Sequence, residues 1–174
     1  MASNKPLHLE NGVPTEVPAI SSSVGAGDAN KLVATGVNGR IDESILPPGV
    51  GADTKIIEAS ESLAAGDFVT IHDVSGSARV RKADASDGVA GQAHGFVRDS
   101  VASAANATVY FEGPNDQLSG LTAGVTYVLS HTTPGGVVAL SGASSTAGHI
   151  LQVVGYATEE TEVNVEVGKP IVRG

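Results

Sequence analysis

The segment LAAGDFVTI at residues 63–71 returns as LTAGVTYVL at residues 121–129, aligned without gaps at an offset of 58. A repeat of this kind indicates two related units, each with an apolar face that it cannot bury alone. Two such units form one core by packing those faces together. We therefore predict two pseudo-repeated halves, over residues 55–107 and 108–172.

Short apolar runs surround both copies, and Gly, Asp, Asn and Ser separate one run from the next. Because β-branched residues fit pleated sheets and glycine permits the positive φ of tight turns, the pattern predicts an all-β fold, a small β-barrel or sandwich with a β-tulip as one form of it. The second half is expected to begin with a strand at Thr108–Glu112. The predicted strands span 55–59, 67–73, 78–83, 93–98, 107–112, 125–130, 136–140, 149–157, 162–167 and 169–172.

The first thirty residues differ from the rest in composition. Prolines at 6, 14 and 18 block helix continuation and remove backbone donors, and the apolar residues between them follow no helical period. Both an extended arm that binds a neighbour by strand addition and a disordered leader fit this composition. We expect the extended N-terminal arm.

A turn signal follows the arm at Asn38-Gly39, the dipeptide that type I′ hairpin turns prefer. Leu32-Val33 and Ile41 flank it, which predicts a β-hairpin, and Pro47-Pro48-Gly49 ends it. Since a two-stranded hairpin is marginal in water, this one is expected to pack on copies of itself. The expected organisation is an arm over residues 1–30, a β-hairpin and linker over 31–53, and a β-barrel or sandwich domain over 54–174.

Composition excludes several classes of function. The 174 residues include 10 Lys and Arg against 19 Asp and Glu, a net charge of −9, which predicts no nucleic-acid partner. The absence of cysteine excludes disulfides, thiolate metal sites and cysteine nucleophiles, and it fits assembly in a reducing cytoplasm. No long apolar run and no charged leader with an apolar stretch occur, so neither a membrane partner nor export is predicted.

The sequence holds no constellation that indicates catalysis. No two of the five histidines have the i, i+2 or i, i+4 spacing of metal ligands, although His72 and His131 come near the ends of the repeated strands. Neither a nucleophile elbow nor a phosphate-binding loop is present. We predict no catalytic residue, no metal ligand and no cofactor, and we keep a small β-fold hydrolase as an alternative.

Arg79, Arg81 and Lys82 form a basic cluster on a predicted strand, and an acidic segment lies at 159–166. Alternation places Arg79 and Arg81 on one face of the strand, which is usually a solvated outer face. The alternative is that subunits of an oligomer pair the two surfaces, although exposed ion pairs contribute little each.

Residues 28–50, DANKLVATGVNGRIDESILPPGV, resemble a segment that recurs in virion proteins of tailed bacteriophages, ahead of a trimeric β module. The rest resembles the small β modules of phage capsid decoration (cement or head auxiliary), head-fibre and tail-associated proteins. The resemblance covers about residues 28–173. Its motifs are AAGDFVTIHD, VRKADAS, AHGFV, ATVYFEG, LSGLTAGVTYVLS, VVGYAT and KPIVR.

This resemblance implies a homotrimeric virion structural protein on the capsid surface, with the major capsid protein as its partner and no catalysis. The chain carries no shaft repeat, which favours capsid decoration over a fibre. A head-fibre or tail appendage with a host-adhesion role is the alternative. The predicted partner-binding residues are Leu7, Leu9, Val13, Val17, Ile20, Leu32, Val33, Ile41, Ile45 and Leu46.

Overall fold

The computed structural model describes residues 7–16, 19–29, 31–37, 39–46 and 51–174. Its chain divides into two compact units, Met1–Gly51 and Ala52–Gly174. Most of the regular structure is β, which confirms the predicted fold class.

The N-terminal unit begins with a hairpin, β1 (Leu7–Glu10) and β2 (Val13–Glu16). Its turn is Asn11-Gly12, with φ of 52° and 81° as a type I′ turn requires. Further along, Ile20 and Val33 form an isolated parallel bridge. Two short 3-10 helices span Ala26–Asp28 and Glu43–Ile45.

The β-hairpin predicted around Asn38-Gly39 is not found in the described residues, and a hairpin lies instead at residues 7–16, within the predicted arm. Residues 31–37 and 39–46 contain no strand, and Asn38 itself lies outside the described residues. The chain still turns there, because the Gly36 N–H donates to the Arg40 carbonyl at 2.8 Å. Backbone groups beside Val33 bond to Ile20 and not to residues across this turn.

In the C-terminal unit, the first half is a closed five-stranded barrel in the order β3-β5-β4-β6-β7. Strands β3 and β7 are antiparallel, and the parallel pair β3 and β5 closes the ring. A 3-10 segment at Ala85–Gly91 links β5 to β6. The strands are β3 (Thr54–Ala59), β4 (Phe68–Val74), β5 (Ser77–Lys82), β6 (Gly95–Val97) and β7 (Asn106–Tyr110).

The second half forms an open sheet in the order β10-β9-β12-β13-β8, and β11 pairs with β14. All of its strand pairs are antiparallel. Its strands are β8 (Glu112–Asn115), β9 (Thr126–Leu129), β10 (Val137–Ala139), β11 (Ile150–Leu151), β12 (Val153–Ala157), β13 (Val163–Glu166) and β14 (Ile171–Val172).

The two halves share one strand order, which the internal repeat did not predict. The run β5-β4-β6-β7 corresponds to β10-β9-β12-β13, and β3 corresponds to β8. The repeated turn makes the same bond twice: Gly66 N–H donates to Val97 and Gly124 N–H to Ala157, both at 2.8 Å. The halves differ at closure, since β3 reaches β5 whereas β8 does not pair with β10.

The predicted boundary between the halves was wrong by one strand. The strand placed at Thr108–Glu112 to begin the second half is β7 of the first, and β8 begins the second half at Glu112. The sequence of β8, EGPN, carries turn residues and gives no strand signal. Proline is accepted there because β8 lies at a sheet edge, where a missing ladder donor is tolerated.

Both halves contribute to the main core. Phe68 and Phe96 of the first half, with ring centroids 6.1 Å apart, pack with Leu129, Val154 and other residues of the second. A second cluster lies inside the first half, around Val69, Val80, Val97 and Val109. No helix in the described part of the chain is long and apolar enough to cross a membrane.

Candidate partner-binding surfaces

The hairpin of the N-terminal unit presents large apolar side chains to solvent. Leu7 lies opposite Glu16 and Leu9 opposite Pro14, so both leucines lie on one face. They are 69% and 66% exposed, and Val13 is exposed as well. Such a face is typical of a surface that another protein covers.

A second apolar group lies around the bridge between Ile20 and Val33. Ile20 N–H donates to Leu32 and Ala34 N–H donates to Ile20, both at 2.8 Å. Ile20 is half-buried, whereas Leu32 and Val33 are exposed.

The remaining predicted residues do not all share one surface. Ile41 is exposed beside a groove of about 300 Å³ that Ser21 and Val37 also line. Ile45 and Leu46 are half-buried. Val17 lies outside the described residues.

Two carboxylates hold the loops of this unit in shape. Lys31 Nζ and the Val24 N–H both donate to Asp28, each at 2.7 Å. The hydrogen bond from Lys31, followed by that from Val24, holds the pKa of Asp28 below its usual value. Ser44 donates its hydroxyl and N–H to Asp42 and lowers the pKa of that carboxyl. Because both pKa values are lowered, the two carboxylates stay ionised and keep these hydrogen bonds at a lower pH than an ordinary aspartate would.

The basic cluster on β5 is neutralised within its own unit. Arg79 pairs with Glu58, Arg81 with Asp87 at 2.9 Å, and Lys82 with Asp67 at 3.4 Å. Each cation therefore has an acidic partner in the same chain, which favours the solvated-face interpretation over pairing between subunits.

The histidines have structural contacts. His72 Nε2 lies 3.1 Å from Ser60 Oγ, and the ring of His131 lies 6.0 Å from that of His149, a contact that spacing did not predict. His94 Nδ1 accepts the Ile71 N–H at 3.0 Å. Among the residues that the structure describes, no group of three or more His, Asp or Glu side chains could hold a metal ion.

Sequence reasoning missed an open sheet edge in the second half. A cleft of about 560 Å³ runs beside β10, between that strand and residues 117–121. No charged side chain lines it. A comparison of the two repeats could have indicated this edge. The strand EGPN of the second half is shorter than the closing strand TKIIEA of the first half, and it carries glycine and proline.

One aromatic ring is also left on the surface. The chain has three tyrosines and three phenylalanines, and Tyr156 is the exposed one, at 46%. Asn164 Nδ2 lies 3.3 Å from its hydroxyl, on the facing residue of β13. Thr126, Val153 and Glu166 complete a shallow pocket of about 350 Å³.

Neither a family model nor a curated protein sequence matches the chain. Among solved structures, the chain is similar to the head fiber gp8.5 N base of bacteriophage phi29, with a TM-score of 0.46 and 13% sequence identity. The similarity covers 71% of this chain and 95% of that one. Functional reasoning on this chain therefore depends on its sequence motifs and its exposed surfaces.

Proposed function

We propose that the protein is a non-enzymatic bacteriophage virion protein, a capsid decoration (cement) protein that binds the outer surface of the major capsid protein as a homotrimer. The observation that carries the proposal is the hairpin face on which Leu7 and Leu9 lie exposed. It agrees with the resemblance of residues 28–173 to phage virion modules. Neither a nucleic acid nor a membrane is a partner in this proposal.

The hairpin face has the physical properties of an attachment site. A two-stranded hairpin is marginal in water by itself, so a partner surface would stabilise it. Burying one leucine contributes on the order of 2 kcal/mol, and a hairpin edge that no other described strand covers offers main-chain hydrogen bonds. Three linked arms on one trimer add avidity to these modest contacts.

Attachment of this kind stabilises a capsid without chemistry. A trimer that binds the mature shell, and not its dissociated subunits, shifts the equilibrium toward the shell by mass action. The protein would be assembled in the host cytoplasm and act on the head surface. Its role is to hold neighbouring capsid subunits together.

The test compares capsid occupancy of the full chain with that of a variant lacking residues 2–30. We expect the truncated protein to lose binding to capsids of its own phage. Leu9→Asp should also lose it, whereas Asn11→Asp adds the same charge at the exposed turn and should bind normally. Full occupancy by the truncated protein would contradict the proposal.

Tyr156 favours a second candidate, a head-fibre or tail-appendage module with a host-adhesion role. An exposed ring with a hydrogen-bonded hydroxyl gives a rigid, amphipathic contact of the kind that binding hot spots use. Immunogold labelling of virions separates the candidates: even label on the head supports decoration. Label confined to one vertex or to the tail, with host binding lost in Tyr156→Ala, supports adhesion.

A further inference from the structure

We propose that the open edge of β10 receives residues Leu32–Thr35 of a second copy as a parallel strand, which closes the second half as β3 closes the first. The inference rests on the homotrimer of the proposed function and names the surfaces that form it. Its basis is the internal repeat. The two halves have the same arrangement of strands, but the first has a closing strand and the second lacks one.

The first half shows how such an edge is covered. There, Ala59 of β3 lies opposite Val80 of β5, and the Ser60 N–H donates to the Val80 carbonyl at 2.8 Å. Val137 is the equivalent of Val80, because Ile71 pairs with Val80 as its repeat partner Leu129 pairs with Val137. The outer side of β10 carries no strand in the described residues.

The chain contains a second copy of the closing sequence. Residues 57–60 read Ile-Glu-Ala-Ser, and residues 32–35 read Leu-Val-Ala-Thr. The pattern of Leu, Ile or Val, then any residue, alanine and a hydroxyl residue occurs at these two places in the sequence. In β3 its aliphatic residue and its alanine, Ile57 and Ala59, are buried in the barrel.

No described residue bonds to the side of the 32–35 backbone that faces away from Ile20. Leu32 and Ala34 direct their bonding groups to Ile20, so the groups of Val33 and Thr35 point to the other side. In β3, Ala59 is the equivalent of Ala34 and Ser60 is the equivalent of Thr35. The Ala59 N–H bonds away from β5, to Ala105, whereas the Ser60 N–H bonds to Val80 of β5. The free side of the segment is therefore the side that β3 uses.

The side chains also fit. Leu32 is 49% exposed in its own copy and would enter an uncharged cleft lined by Leu118, Leu121 and Tyr127. The ion pair between Glu58 and Arg79 has no counterpart, because Val33 and Gly136 stand at the equivalent positions. An aliphatic strand thus matches a neutral edge.

Neither surface is covered by a strand in the part of the chain that the structure describes. Leu32 is exposed and β10 ends its sheet. The contact joins two different surfaces, and such heterologous contacts form closed rings when the rotation closes. A ring of three copies would leave no β10 edge open.

The test uses the absence of cysteine, since introduced thiols have no competitor. Two differently tagged copies are co-expressed, one with Ala34→Cys and one with Val137→Cys, and oxidised. Opposed residues of paired strands lie within the usual Cα separation of a disulfide, about 5.5 Å. We expect a disulfide between the two tagged chains, and none when Ala34→Cys meets Val74→Cys, an exposed residue at the end of β4.

Absence of the bond between the tagged chains would overturn the inference, as would a double variant that forms the bond within one monomeric chain. As a second measurement, Leu32→Asp should lower the mass measured by light scattering from three chains to one. Val24→Asp, at a fully exposed position, should leave it unchanged. An intact cross-link without capsid binding would refute the proposed function alone, and capsid binding without the cross-link would refute the inference alone.

Discussion

At the scale of single residues, His94 shows how a polar side chain is made part of the fold. Its Nδ1 accepts the Ile71 N–H at 3.0 Å and lies 3.3 Å from Thr70 Oγ1. That nitrogen must therefore be unprotonated. Burial lowers the pKa of His94 below its ordinary value of 6.5, so the folded protein holds the neutral ring.

Stability should consequently fall as the pH drops below about 6.5. In that range the unfolded chain binds a proton at His94 and the folded chain does not, so acid favours unfolding. His94→Asn keeps an acceptor near the same place and does not titrate. We expect urea unfolding at pH 7.5 and 5.5 to show a smaller pH dependence for the variant than for the native protein. An equal dependence would refute the role of His94.

At the scale of elements, two glycines allow strands to approach closely. A Cβ on Gly95 would lie 2.4 Å from the Tyr110 carbonyl oxygen, and one on Gly155 would lie 2.2 Å from that of Asn164. The two glycines stand at equivalent places, one on β6 facing β7 and one on β12 facing β13. The sequence has Gly95-Phe96 and Gly155-Tyr156 at these two places, so one packing requirement is met twice.

Gly155→Ala should destabilise the C-terminal unit much more than Gly113→Ala. Both positions have positive φ, which costs an alanine about 1–2 kcal/mol, but only the Gly155 Cβ meets backbone, which we expect to add about 2 kcal/mol. All three tyrosines lie in this unit, so urea unfolding followed by tyrosine fluorescence measures the difference. Equal losses in the two variants would contradict the close approach.

Sequence patterns predicted elements where apolar alternation and turn residues agree. Strands such as β4 and β9 belong to the repeat and were found near their true bounds. β8 was missed because its residues, EGPN, are typical of a turn. It forms a strand because it pairs with β13, which is distant in sequence. The hairpin predicted around Asn38-Gly39 failed for a similar reason, because Val33 pairs with Ile20, which is distant in sequence.

At the scale of the whole molecule, the shared core makes the two halves of the C-terminal unit depend on each other. Phe68 and Phe96 come from one half, and Leu129, Val154 and Val163 from the other. Gln152, which is fully buried, adds hydrogen bonds to both the N–H and the carbonyl of Ala93. Neither half can bury the apolar side chains of this shared core alone.

We therefore expect the C-terminal unit to unfold in one cooperative transition. Chemical unfolding followed by tyrosine fluorescence and by circular dichroism should give coincident curves. A fragment that ends at Phe111 should remain unfolded, although it contains every strand of the closed barrel. A folded fragment, or two separate transitions, would refute this interdependence.

The candidate surfaces were predictable to different degrees. The exposed leucines of the hairpin follow from apolar residues set among prolines and polar residues. The open edge of β10 does not, because no local pattern reports that two strands fail to meet. It is recognised only by comparing the structure of the closed half with that of the open half.

The entry of the chain into the barrel has a consequence for how the protein would bear load. The strand that follows the N-terminal unit is β3, which is hydrogen-bonded on both sides, over five residue pairs to β7 and two to β5. Tension that reaches Thr54 along the strand axis is shared by both ladders at once instead of opening one bond after another. If the proposed attachment of the arm to a capsid is correct, the domain would resist being pulled apart in shear.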